Sequence, residues 1–105
     1  MVTYGYDERP HLGGYVVGGS PNTWCPKVWD RLIRDWGIRS VLDVGCGEGH
    51  SIRYFADRGL RVLGIEGSRR AIEGGPVPEL IREHDYCTGP FVPDSPYDLA
   101  WSCEF

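Results

Sequence analysis

The sequence has no apolar run near the ~20 residues that a membrane-spanning helix needs. Its N-terminus lacks the basic-then-apolar order of a secretory signal, so the expected compartment is the cytoplasm. It has no excess of positive charge: 11 Lys and Arg stand against 15 Asp and Glu, a net charge of -4. That argues against a nucleic-acid grip built on bulk positive charge and leaves room only for a local patch. None of the cysteines Cys25, Cys46, Cys87 and Cys103 forms a C-x-x-C pair, and their intervals are long and unequal. Zinc needs clustered ligands, so the expectation is free thiols and no metal site. His11, His50 and His84 are likewise scattered. There is no internal repeat and no low-complexity tract. What remains is an ordinary globular composition, 41% hydrophobic and 25% charged, in 105 residues. A chain of that length makes one domain at most and buries roughly 65% of the surface its unfolded form exposes.

The pattern along the chain alternates. Residues 1–19 are rich in glycine and tyrosine without a sustained period, which predicts an irregular arm. Helix signals begin at Ser20, with Ser20, Asn22 and Thr23 as candidate caps and Pro21 or Pro26 suited to a first turn. Val28, Leu32 and Trp36 follow at helical spacing, widened by Trp29 and Ile33, and Gly37 is a natural stop. Trp24, Trp29 and Trp36 fit a packing face better than a base-stacking platform. Val41 to Val44 is a short branched strand leading into a glycine-rich turn. His50 to Arg58 reads as a helix with Ile52, Phe55 and Ala56 inward, ended by Gly59. Arg61 to Glu66 is a second strand, Ser68 caps a short helix that ends at Gly74-Gly75, and Pro76 and Pro78 mark a loop. Leu80 to Tyr86 and Tyr97 to Ser102 are the third and fourth strands. Strands alternating with helices imply a parallel sheet with right-handed crossovers.

A strand that runs through a glycine-rich turn into a helix brings backbone close to a nucleotide-like ligand. The dinucleotide fingerprint G-x-G-x-x-G fails here, because its third glycine would fall on His50. The pattern is G-x-G-x-G, through Gly45, Gly47 and Gly49. Asp43 lies two residues before it and Glu48 within it. A pyrophosphate would meet two carboxylates where it needs donors and positive charge. S-adenosylmethionine (SAM) carries a sulfonium, an ammonium and one carboxylate, and an acidic turn suits it. Glu66, at the end of the second strand, stands where an acid accepts from ribose hydroxyls of either cofactor class.

The stretch Val41-Leu-Asp-Val-Gly-Cys-Gly-Glu-Gly49 resembles the first motif of class I SAM-dependent methyltransferases. Glu66 matches the second-strand acid of that family. His84-Asp85-Tyr86 resembles its adenine-binding segment, and Tyr97-Asp-Leu-Ala-Trp-Ser-Cys-Glu104 its fourth-strand motif. The resemblance covers residues 20–105 and implies a Rossmann-like α/β three-layer sandwich whose parallel sheet runs in the order 3-2-1-4. It implies that SAM is held, and S-adenosylhomocysteine released, by Asp43, Gly45, Cys46, Gly47, Gly49, Glu66, Gly67, Asp85, Tyr86 and Ser102. Asp43 and the turn would take the methionine part, Glu66 the ribose, and Asp85 with the Tyr86 backbone the adenine. The activity implied is methyl transfer to an acceptor that no residue here identifies. The arm, with Tyr4, Tyr6 and Tyr15 among its glycines, either covers the cofactor or simply packs on the sheet.

The family's sheet has seven strands, and this pattern stops after the fourth. A fragment, a compact half-domain and a chain completed by a partner are the alternatives, with the fragment first. An open fourth strand, with Leu99 and Trp101 beside unpaired backbone, would invite self-association or a partner chain. The competing functional readings are a SAM-binding module without turnover, an interaction subunit that lends a half-sheet to a partner, and a nicotinamide-dinucleotide oxidoreductase domain.

Overall fold

The computed structural model describes residues 2–103; Met1, Glu104 and Phe105 lie outside the described residues. Six strands and three helices are present among them. Strands β1 (Tyr4–Tyr6) and β2 (Gly14–Val16) form an antiparallel pair in the arm. Helix α1 spans Pro26–Trp36, β3 Ser40–Val44, α2 His50–Asp57, β4 Arg61–Glu66, α3 Arg69–Gly74, β5 Ile81–Glu83 and β6 Leu99–Trp101. The four later strands make one parallel sheet in the order β5-β4-β3-β6, which is the 3-2-1-4 order expected of the family. Among the described residues β6 pairs only with β3. Among the described residues no helix is long and apolar enough to cross a membrane.

The central strand β3 is where the sheet is best buried. Val41 is fully buried between its register partners Val62 on β4 and Leu99 on β6. It joins Trp29 of α1 and Phe55 of α2 in the core, with Ile33, Ile38 and Leu60 packed around them. Helix α2 follows its reading: Ile52 and Phe55 are fully buried, and Gly59 takes the left-handed conformation that ends it. Helix α3 is capped as expected, the Ser68 hydroxyl accepting from the Ala71 amide at 3.2 Å.

Four local readings are corrected. The arm is not irregular, because Gly14 and Gly5 leave room for the Tyr6 and Tyr15 rings to lie across the hairpin. Helix α1 starts at Pro26, since Ser20 to Thr23 close a turn of their own: the Thr23 amide and hydroxyl both donate to the Ser20 carbonyl. Pro26 is then suited to the first helical position and holds Cys25 out of the helix. The inward stripe of α1 is Trp29 and Ile33, with Cys25 packed beside it from just before the helix, while Trp36 is 80% exposed and Val28 half-exposed. The third strand is only Ile81–Glu83: Pro78 begins a 3-10 turn before it, and the Asp85 carboxylate accepts from the Cys87 amide to cap another after it.

Candidate cofactor site

The carboxyl ends of β3, β4 and β5 open, together with the arm, onto a cavity of about 1030 Å³. Of the residues singled out from the sequence, Asp43, Gly45, Cys46, Gly47, Glu66, Gly67, Asp85 and Tyr86 line it. Gly49 and Ser102 do not. Gly49 is buried against Val77 and Ile81, where a Cβ would meet the Ile81 side chain at 2.7 Å, so it serves packing and a left-handed turn. Ser102 is exposed, and its hydroxyl donates to the Val44 carbonyl at 3.0 Å, tying the end of β6 to the end of β3.

The glycine turn holds its own amides. Gly45 and Cys46 both donate to the Ile65 carbonyl, at 2.9 and 3.1 Å. Gly47 donates to Glu66 Oε1 at 2.8 Å, and Gly49 to the Cys46 carbonyl at 3.0 Å. Gly47 has a positive φ of 59°, a left-handed conformation that favours glycine, with open space where a Cβ would stand. Among the described residues no Lys or Arg lines the cavity, while Asp43, Glu48, Glu66 and Asp85 do. An anion cradle of the phosphate-binding kind needs free amides and positive charge. This wall offers carboxylates in place of positive charge.

Asp43 is the most buried of these acids, and the Ser51 hydroxyl donates to it. Burial pushes its carboxyl up to about 7; the Ser51 hydrogen bond pulls the other way, and the charge of Glu66 adds to the rise. The Cys46 thiol is pushed far up by burial and by the charges of Asp43 and Glu66, so it stays protonated. It fits beneath the turn because Gly64 has no side chain; a Cβ there would meet Cys46 Sγ at 2.7 Å. Glu66 bridges two elements, since its second oxygen accepts from the Ser68 amide at 2.9 Å. A carboxylate has about four lone-pair sites, so two such bonds leave capacity for a ligand.

A methyltransferase-domain family model matches residues 42–105. The chain belongs to that family. This methyltransferase domain is 28% identical to an S-adenosyl-L-methionine-dependent Diels-Alderase of Talaromyces variabilis, with 99% of the chain aligned to 46% of that protein. It is 31% identical to the 2-methyl-6-phytyl-1,4-hydroquinone methyltransferase of Synechocystis, again over 99% of the chain and 37% of the relative. It is 36% identical to a thiopurine S-methyltransferase of Pseudomonas putida over 60% of the chain and 26% of the relative. The chain thus spans less than half the length of each of these relatives.

Several site features of the methyltransferase domain were not legible in its motifs. Glu48, read as a charge for the ligand, is 6% exposed and accepts from the Gly18 amide at 2.8 Å while pairing with His50 Nε2 at 3.0 Å. It therefore anchors the arm. The arm is tied down at further points. Asp7 takes the Arg69 amide, and Arg9 donates to the Gly67 carbonyl and Glu83. Leu12 sits over Gly67, where a Cβ would meet it at 2.7 Å. His11 Nε2 lies 2.6 Å from Asp85 Oδ2, and the pairing holds the Asp85 carboxyl below the usual range. His11, Asp85 and Cys87 bring one ligand atom each within 4.8 Å. His11 and Asp85 are 74 residues apart, so no spacing rule could have joined them. Ser51 carried a signal of its own, a hydroxyl in the first turn of the helix that the glycine turn opens.

Proposed function

We propose that this domain binds S-adenosylmethionine and acts in methyl transfer from it. The observation that carries the reading is the wall itself: an acidic turn whose four amides at Gly45, Cys46, Gly47 and Gly49 are already bonded, in a cavity that no Lys or Arg lines among the described residues. A cation that presents N–H and O–H donors fits this wall, and a pyrophosphate does not. Membership of the methyltransferase-domain family supports the same reading.

The residues fit the cofactor by their donor set. Asp43, buried and held by Ser51, offers a carboxylate to the cationic methionine part. Glu66 keeps lone pairs for ribose hydroxyls while its two existing bonds fix its position. Asp85 and Tyr86 flank the opposite end, where the base would lie. When bound, SAM supplies an electrophilic methyl for in-line displacement, so the protein's work is to bind, orient and exclude water. The arm serves the last of these, since it lines the cavity and closes over the ends of β3, β4 and β5.

The acceptors named for the relatives differ in kind, a hydroquinone in one and a thiopurine in another, so the comparisons favour no single acceptor. The test is binding. Glu66→Ala should weaken S-adenosylhomocysteine by about tenfold or more, the value of a charge-assisted hydrogen bond to the ligand. Calorimetric titration checks it, and an unchanged affinity would remove Glu66 from the site.

A further inference from the structure

Where the arm meets the end of β5 there is a cluster whose imidazole and thiol the cofactor reading leaves unused. Linear spacing gives no reason to join its members, since His11 and Asp85 are 74 residues apart. The fold brings them together. His11 lies in the 3-10 turn between β1 and β2, and Cys87 in the 3-10 turn that Asp85 caps after β5. His11, Asp85 and Cys87 each bring one ligand atom, and these atoms all lie within 4.8 Å of one another.

Two features set the cluster apart from a surface ion pair. Cys87 is exposed, whereas Cys25, Cys46 and Cys103 are partly buried. A free cysteine is ordinarily among the most buried residue types, so packing does not explain a thiol held open beside an imidazole and a carboxylate. Asp85 is also aimed. Its Oδ1 accepts from the Cys87 amide at 2.9 Å, and its Oδ2 faces His11 Nε2 at 2.6 Å. A carboxylate fixed through one oxygen presents the other in a set direction, which is the support a metal ligand needs. The surroundings favour a cation. All three residues line the cavity, as do Asp43, Glu48 and Glu66, and no Lys or Arg lines it among the described residues.

The donor set selects the metal. One nitrogen, one oxygen and one sulfur suit zinc(II), whereas magnesium and calcium take oxygen ligands. Around a tetrahedral zinc with bonds of ~2.0 to ~2.3 Å, ligand atoms stand roughly 3.3–3.5 Å apart. The His11–Asp85 contact of 2.6 Å would open by about 1 Å or less to reach that spacing. His11 and Cys87 are exposed, so both side chains have room to turn.

We propose that His11, Asp85 and Cys87 bind a zinc(II) ion that clasps the arm to the carboxyl end of β5. The ion takes His11 Nε2, Asp85 Oδ2 and the Cys87 sulfur as thiolate, and the thiol proton passes to solvent. Three protein ligands leave a fourth position for water. Two coordinate bonds replace the hydrogen bond between His11 and Asp85, which tightens the arm's hold on the rim of the cavity. The proposal stands apart from the SAM reading, because the metal is detected without any cofactor.

Cobalt(II), a spectroscopic substitute for zinc, tests it on the full chain. A single equivalent should give a thiolate-to-cobalt charge-transfer band, which zinc displaces and magnesium does not. Cys87→Ser should remove the band although Cys25, Cys46 and Cys103 remain. His11→Gln keeps the thiol and should weaken cobalt by about tenfold or more. Both positions are exposed, so the fold should survive either change. No band at one equivalent would overturn the proposal, as would an undiminished band in Cys87→Ser. Wild-type affinity in His11→Gln would also overturn it, since the thiol would then be holding an adventitious ion only. Each of these outcomes leaves the cofactor reading untouched.

Discussion

Asp43 shows how a single residue links the sheet to the site. It occupies a strand position whose neighbours are apolar, and the cost of burying its charge raises its carboxyl to about 7 from an ordinary value of 3.8. Between pH ~4 and ~7 the folded protein therefore holds a proton that the unfolded chain has given up. Stability should fall as the pH rises through that window, and remain at the lower level above it. Asp43→Asn cannot ionise, so it should gain on the wild type across the same window, by about 2–4 kcal/mol at pH 8. Urea denaturation at pH 5 and pH 8 checks this; a difference that does not grow with pH would contradict it. On the proposed function the same substitution should weaken a cationic ligand, the acid then costing stability in exchange for binding. Such a trade is expected where a local rule is broken at a functional position. The residue was legible from its place before the glycines. Its hydrogen bond from Ser51 was not, because that depends on how α2 turns once it leaves Gly49.

Helix α1 shows the same limit at the scale of an element. Its existence, its end at Gly37 and its amphipathic character follow from spacing, but the face it buries does not. Val28, Leu32 and Trp36 form one stripe and Trp29 and Ile33 the adjoining one; both are apolar at helical period. The structure chooses the second because Trp29 meets Val41, Phe55 and Trp101 there. Trp29→Ala should thus cost about 3–5 kcal/mol, while Trp36→Ser should stay within about 0.5 kcal/mol. Thermal or urea unfolding of the two variants decides between the stripes, and similar losses would mean that the helix is turned otherwise. The short parallel strands, the glycine turn and the Ser68 cap were legible because each has a local cause. The arm was not, since its hairpin is held by distant partners: Gly18 on Glu48, Arg9 on Gly67 and Glu83, His11 on Asp85. None of these pairs is near in sequence, and the polar residues involved read equally well as solvated surface.

At the scale of the whole molecule, the four-stranded parallel sheet and the arm place two kinds of wall around one cavity. The carboxyl ends of β3 and β4 give it acids and bonded amides, and α1 with β6 gives it indoles. The first wall discriminates by charge. A dinucleotide would bring a pyrophosphate to Asp43, Glu48 and Glu66, with no lining Lys or Arg among the described residues to compensate. The central claim is that this wall is made for a ligand with an ammonium and a ribose and without phosphate. Isothermal titration of the full chain with S-adenosylhomocysteine and, separately, with NAD tests it most directly. The account predicts saturable binding of S-adenosylhomocysteine and none of NAD. Binding of NAD without binding of S-adenosylhomocysteine would contradict it.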